Sequence, residues 1–93
     1  MVKPYYPVSV STTKTILAVS NRKRTSLTVW NDDTVTSLYI GFDRQVSVFN
    51  GMVVLPQSGM TFLKGLGDRP DLELFGVTGG ATIDVRILEA TED

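Results

Sequence analysis

The chain contains no cysteine and no histidine. The first absence removes disulfides and thiolate chemistry and leaves the redox compartment unmarked. The second removes the commonest general base and the commonest metal ligand. Long apolar runs are missing too. No stretch approaches the roughly 20 residues needed to cross a bilayer, so no membrane partner is expected. The opening MVKPYYPVSVS is interrupted by Pro4 and Pro7 and lacks the apolar segment of a signal peptide. Neither sign of charge dominates: nine Lys and Arg face ten Asp and Glu, for a formal net charge of −1. A nucleic-acid coat draws its affinity from phosphate neutralisation, so nucleic acid is not expected as a partner.

What is present is strand chemistry. Val, Ile and Thr make up 27 of the 93 residues, and branched side chains suit strands better than helices. Residues 9–19 form a first extended region with a break near Thr12 and Thr13. Thr25 to Trp30 alternates, placing Leu27 and Val29 on one face and Thr28 and Trp30 on the other. Leu38, Ile40 and Phe42 share a face opposite Tyr39 and Gly41. A short strand is expected over 45–49, closed by the turn-forming pair Asn50–Gly51, both tolerant of positive φ. Met52–Leu55 is an apolar strand stopped by Pro56. Strands are also expected over 59–63, 71–77 and 81–88; in the last, Ile83, Val85 and Ile87 face inward while Asp84 and Arg86 face water. No segment offers two turns of amphipathic helix.

Strands and turns of these lengths fit a β-sandwich, a jelly roll or a small barrel. The expectation is one all-β domain over 1–93, a small β-sandwich or jelly roll of seven or eight short antiparallel strands. Residues 1–8 are expected as an extended arm, stiffened by Pro4 and Pro7 and carrying Tyr5 and Tyr6 as amphipathic anchors. Residues 89–93 are expected as a frayed tail.

Candidates for chemistry are few. Asp32 and Asp33 would form a turn before they would bind a metal, since calcium needs six to eight oxygen ligands. Asp68, Asp71 and Glu73 could lie near one another around the bend over 67–74, and a catalytic pair would need a cleft between them. Ser and Thr residues lack an activating base. Gly65–Leu66–Gly67 has no following helix and is no phosphate loop. No catalytic residue, cofactor site or metal site is expected, and the chain is not expected to be an enzyme.

Binding residues are easier to nominate. Arg22, Lys23 and Arg24 run into a strand; they either lay their stems on a sheet edge in water or meet an acidic patch on a protein. Trp30 and Tyr39, both out of phase with the core, would make an interface if they were cross-strand neighbours. Otherwise Trp30 caps an end of the sandwich. Phe49 is either a loop anchor or a lid on the core.

The runs ILAVSNRKRTSLTVWN, SLYIGF, VSVFNGMVVLPQSGMTF and ATIDVRILE, which span Ile16 to Glu89, resemble small β-rich bacteriophage structural-module proteins. The resemblance implies turns at Asn21 and Arg22, a strand closed by Asn31, crowded backbone at Gly41, and a short strand bounded by Gly51 and Pro56. It also implies a virion protein made in the host cytoplasm, of head-decoration, head-fibre-base or tail-accessory type. The implied partner is a phage capsid or tail protein, with a homo-oligomer expected from the small core. A carbohydrate- or receptor-binding module of a phage tail or fibre is the alternative. An exposed aromatic platform beside Asp or Asn in a shallow groove would favour it.

Overall fold

The computed structural model describes residues 6–92. Eight strands follow in order: β1 Tyr6–Val10, β2 Thr15–Ala18, β3 Arg24–Asn31, β4 Leu38–Gly41, β5 Met52–Val54, β6 Ser58–Leu63, β7 Leu74–Val77 and β8 Ile83–Thr91. A single 3₁₀ turn, Lys64–Leu66, separates β6 from β7. All pairings are antiparallel.

One sheet has the order β1-β8-β3-β6 and the other β2-β7-β4-β5. In this order the first strand pairs with the last, the second with the seventh, the third with the sixth and the fourth with the fifth. That is one long hairpin wrapped on itself, the jelly roll. Wrapping makes consecutive strands switch sheets everywhere except at the β4–β5 hairpin, so the two sheets enclose a shared core.

Alternation does most of the work of building that core. Leu27 and Val29 on β3, Leu38 and Ile40 on β4, and Ile83, Val85 and Ile87 on β8 all point inward and are buried. Phe42 and Phe62 meet edge to face, centroids 5.0 Å apart, and close one side. Each fully buried aliphatic side chain contributes about 1.5–3 kcal/mol relative to exposure. Gly76 gives Leu17 room: a Cβ there would stand 3.0 Å from a Leu17 methyl, closer than ordinary contact.

Several local expectations are corrected. Residues 45–49 form no strand. The Asn50 carbonyl oxygen accepts from Ser47 N at 2.7 Å and its amide donates to Gln45 O at 2.9 Å, folding 43–51 into successive turns. Asn50 and Gly51 do not use positive φ; among the described residues only Gln57 and Gly67 do, at 56° and 90°. Gly51 matters for space, since a Cβ would lie 2.9 Å from Val46 and 3.0 Å from Tyr39. Tyr6, Pro7 and Val8 belong to β1, paired with Ile87, Arg86 and Val85, so they are sandwich and not arm. Tyr5 lies outside the described residues. At the other end β8 runs on through Thr91, and Glu92 N donates to Lys23 O at 2.7 Å, where a frayed tail was expected.

Candidate functional site

The outer face of the β1-β8-β3-β6 sheet carries a shallow depression of about 270 Å³ lined by Thr28, Trp30, Asp32, Arg86 and Leu88. Register explains the grouping. Trp30 sits between Arg86 on β8 and Gly59 on β6, and Thr28 sits between Leu88 and Thr61. Trp30 is 38% exposed. Its ring leans over Gly59, where a Cβ would stand 3.0 Å from the ring carbon Cε3. Glycine at that cross-strand position is what lets the indole settle.

The polar groups around the indole are tied together. Trp30 Nε1 donates to Asp32 Oδ1 at 3.2 Å. Arg86 Nη2 donates to Asp32 Oδ2 at 3.1 Å and to Asp84 Oδ2 at 2.9 Å, with Nε also reaching Asp84 at 3.1 Å. Thr28 and Thr61 share a hydroxyl hydrogen bond at 3.0 Å. Among the described residues one guanidinium therefore faces two carboxylates, Asp32 and Asp84. The tethers fix each side chain before any ligand arrives, which reduces the entropy lost on binding.

The β2-β7-β4-β5 sheet has a different exterior. All four residues of β7, Leu74–Val77, are buried. Phe75 and Val77 face outward and are covered by Val46 from the 43–51 loop, with Tyr39 packed beside them. Ile16 and Val53, each 45% exposed, remain uncovered on this sheet, and Phe49 on the loop is 95% exposed. A cleft between β2 and the loop is lined by Lys14, Ile16, Arg44 and Phe75. Lys14 Nζ donates to Arg44 O and holds the loop to β2.

These placements rearrange the nominated residues. Trp30 and Tyr39 are not neighbours; they lie on different sheets. Alternation shows which face a residue takes, but the crossover after β3 decides which sheet follows. Arg22 and Lys23 are exposed in a turn where Asn21 Oδ1 accepts from Lys23 N at 3.0 Å. Arg24 is not part of that surface. A register irregularity between Arg24 and Ser26 reverses the phase of β3 and turns Arg24 inward. There its Nε donates to Glu89 at 2.9 Å, Nη1 to Pro70 O at 2.9 Å and Nη2 to Val19 O at 2.7 Å. Tyr6 Oη donates to the other oxygen of Glu89 at 3.1 Å. Burial, followed by the Glu89 charge, pushes the Tyr6 hydroxyl up to about 12.

Asp33, Asp68 and Asp71 serve their own loops. Asp33 accepts from Thr36 N at 2.6 Å and Val35 N at 2.9 Å, and these backbone donors, Thr36 first, hold its carboxyl below the usual range. Asp68 accepts from Leu63 N at 2.9 Å, and Asp71 pairs with Arg69 at 3.0 Å. Among the described residues no group of three His, Cys, Asp or Glu is placed to hold a metal, and no helix is long and apolar enough to cross a membrane. Sequence reasoning did not nominate Asp32 and Arg86 as a pair, because β8 brings them together across 54 positions. The only hint was that Asp84 and Arg86 share the wet face of one strand. No protein-family model matches this chain, and no curated protein or solved structure matches it significantly.

Proposed function

We propose that this chain is a non-enzymatic structural or accessory protein of a bacteriophage virion, docked on a capsid or tail protein through the outer face of its β2-β7-β4-β5 sheet. The observation that carries the reading is the apolar exterior of that sheet. A strand with one wet face alternates, whereas β7 is buried throughout; Ile16 on the adjacent β2 and Val53 on the edge strand β5 are half bare. Phe49 stands out from the loop folded over the same face, in the manner of an anchor side chain.

Charge narrows the partner. The cleft at Ile16 and Phe75 is flanked by Lys14 and Arg44. It suits a protein segment that offers an apolar side chain between carboxylates. On a particle the contact repeats in many copies, so each one can be weak and the assembly still hold. The sequence resemblance to phage structural modules supplies the virion context.

Mass spectrometry of purified particles from the virus source tests the reading. The chain should be found in the particle. Replacing Phe49 and Val53 with Ser should lower the incorporated amount by roughly tenfold, the effect of losing anchor contacts, with the thermal midpoint little changed. Absence from the particle overturns the proposal. Full incorporation of the double variant overturns the assigned face. A change in solution mass with the double variant would identify a second copy of the chain as the occupant instead.

A further inference from the structure

We propose that the depression beside Trp30 binds a neutral pyranose sugar, the indole taking an apolar face of the ring while Asp32 and Arg86 take its hydroxyls. This site lies on the sheet opposite to the proposed protein contact and does not depend on it.

Size and chemistry converge on this ligand. Pockets for drug-sized ligands run about 300–1,000 Å³; this one is about 270 Å³ and open, room for one sugar ring. Its lining is largely apolar, from Trp30, Leu88 and the Thr28 methyl, with Asp32 and Arg86 as the charged groups. A pyranose has that same division: C–H bonds on its faces and hydroxyls around its edge. An aromatic ring can cover the first while carboxylate and guanidinium groups engage the second.

Asp32 retains acceptor capacity. Asp32 accepts one hydrogen bond at each oxygen, from Trp30 and from Arg86, and a carboxylate offers about four acceptor sites. Sugar hydroxyls can donate to the remainder. Among the described residues, two carboxylates against one guanidinium disfavour phosphate, sialic acid or a peptide carboxylate. A cation such as a quaternary ammonium would face Arg86 directly, with a single aromatic wall in place of a cage.

The site contains the chain's only tryptophan, so intrinsic fluorescence reads it directly. The full chain is titrated with maltotriose, cellotriose, triacetylchitotriose and lactose as neutral probes, and with sialyllactose and choline as charged ones. At least one neutral probe should produce a saturable change, with both charged probes at least about tenfold weaker. Asp32→Asn keeps the shape, removes the charge and should weaken binding about tenfold, the scale of a charge-assisted hydrogen bond. Gly59→Ala, which crowds the indole without touching the rim, should weaken it as well. Trp30→Ala removes the fluorophore and is followed by amide NMR, where shifts at Thr28, Arg86 and Leu88 should vanish. The proposal is overturned if no neutral probe saturates the signal, if sialyllactose or choline binds more tightly, or if a folded Trp30→Ala chain keeps the shifts.

Discussion

Two arginine–carboxylate groups sit on opposite faces of one sheet, toward opposite ends of β3. Arg24 and Glu89 face the interior, with side chains only 1% and 6% exposed. Arg86 with Asp84 and Asp32 faces water, and its side chains are about a third to a half exposed. Both groups bridge β3 and β8 or their ends, and both use the same functional groups. They differ in the side of the sheet and in the end of β3 that they occupy. Inside, each of the three Arg24 nitrogens meets a fixed acceptor, and Tyr6 holds the second oxygen of Glu89, so the group acts as a plug where the two sheets meet. Outside, the same chemistry leaves acceptor capacity open beside an indole. One arrangement contributes to integrity; the other is available for recognition.

The sharpest way to break this comparison is to remove one partner of the buried pair. Arg24→Ala or Glu89→Ala should each cost about 3–5 kcal/mol, because the remaining charge is stranded without water. Urea denaturation monitored through Trp30 fluorescence measures the loss. The pair replacement Arg24→Met with Glu89→Leu should be less damaging than either single change. It should not reach wild type, because Pro70 O and Val19 O lose their donor. A double variant worse than both singles would show that the plug stabilises by more than cancelling charges.

A smaller effect sharpens the comparison through pH. The Tyr6 hydroxyl titrates at about 12 in the folded chain against an ordinary 10.0. Between these values the unfolded chain loses the proton and the folded chain keeps it, so the contribution is complete below pH 10 and disappears as pH rises toward 12. Stability should fall across that window, and Tyr6→Phe should flatten the fall while lowering stability at neutral pH. An unchanged slope would detach Tyr6 from the buried network.

The smallest expected effect belongs to the outer group. Arg86→Ala should change stability by no more than about 1 kcal/mol, as for other solvated ion pairs, measured by the same denaturation. A loss comparable to Arg24→Ala would contradict the division between the two faces.

The strands that were legible in advance are those with a clean period of two. Leu27 and Val29, Leu38 and Ile40, and Ile83 to Ile87 went inward as alternation requires, and Trp30 went outward by the same count. Arg24 was not legible because a single extra residue in β3 reverses the phase. Nothing in RKRTS marks where that bulge falls. Glu89 was assigned to a loose tail because its partner lies 65 residues away. Residues 45–49 carry strand-forming side chains, yet Asp43 and Asn50 bind the local backbone first: Asp43 accepts from Gln45 N at 2.8 Å.

Trp30 shows the same boundary at the candidate site. Its face was readable from Leu27 and Val29, but Arg86, Gly59 and Asp32 reached it only through strand order. Composition and alternation thus determined that this chain would form thin, two-faced strands with an aliphatic side turned from water, because side-chain direction along a strand is a local property of the backbone. Which strands became neighbours, which arginine went inside and what stood beside the indole were decided by the wrapped hairpin, because pairing across the sheet couples residues whose distance in sequence carries no local signal.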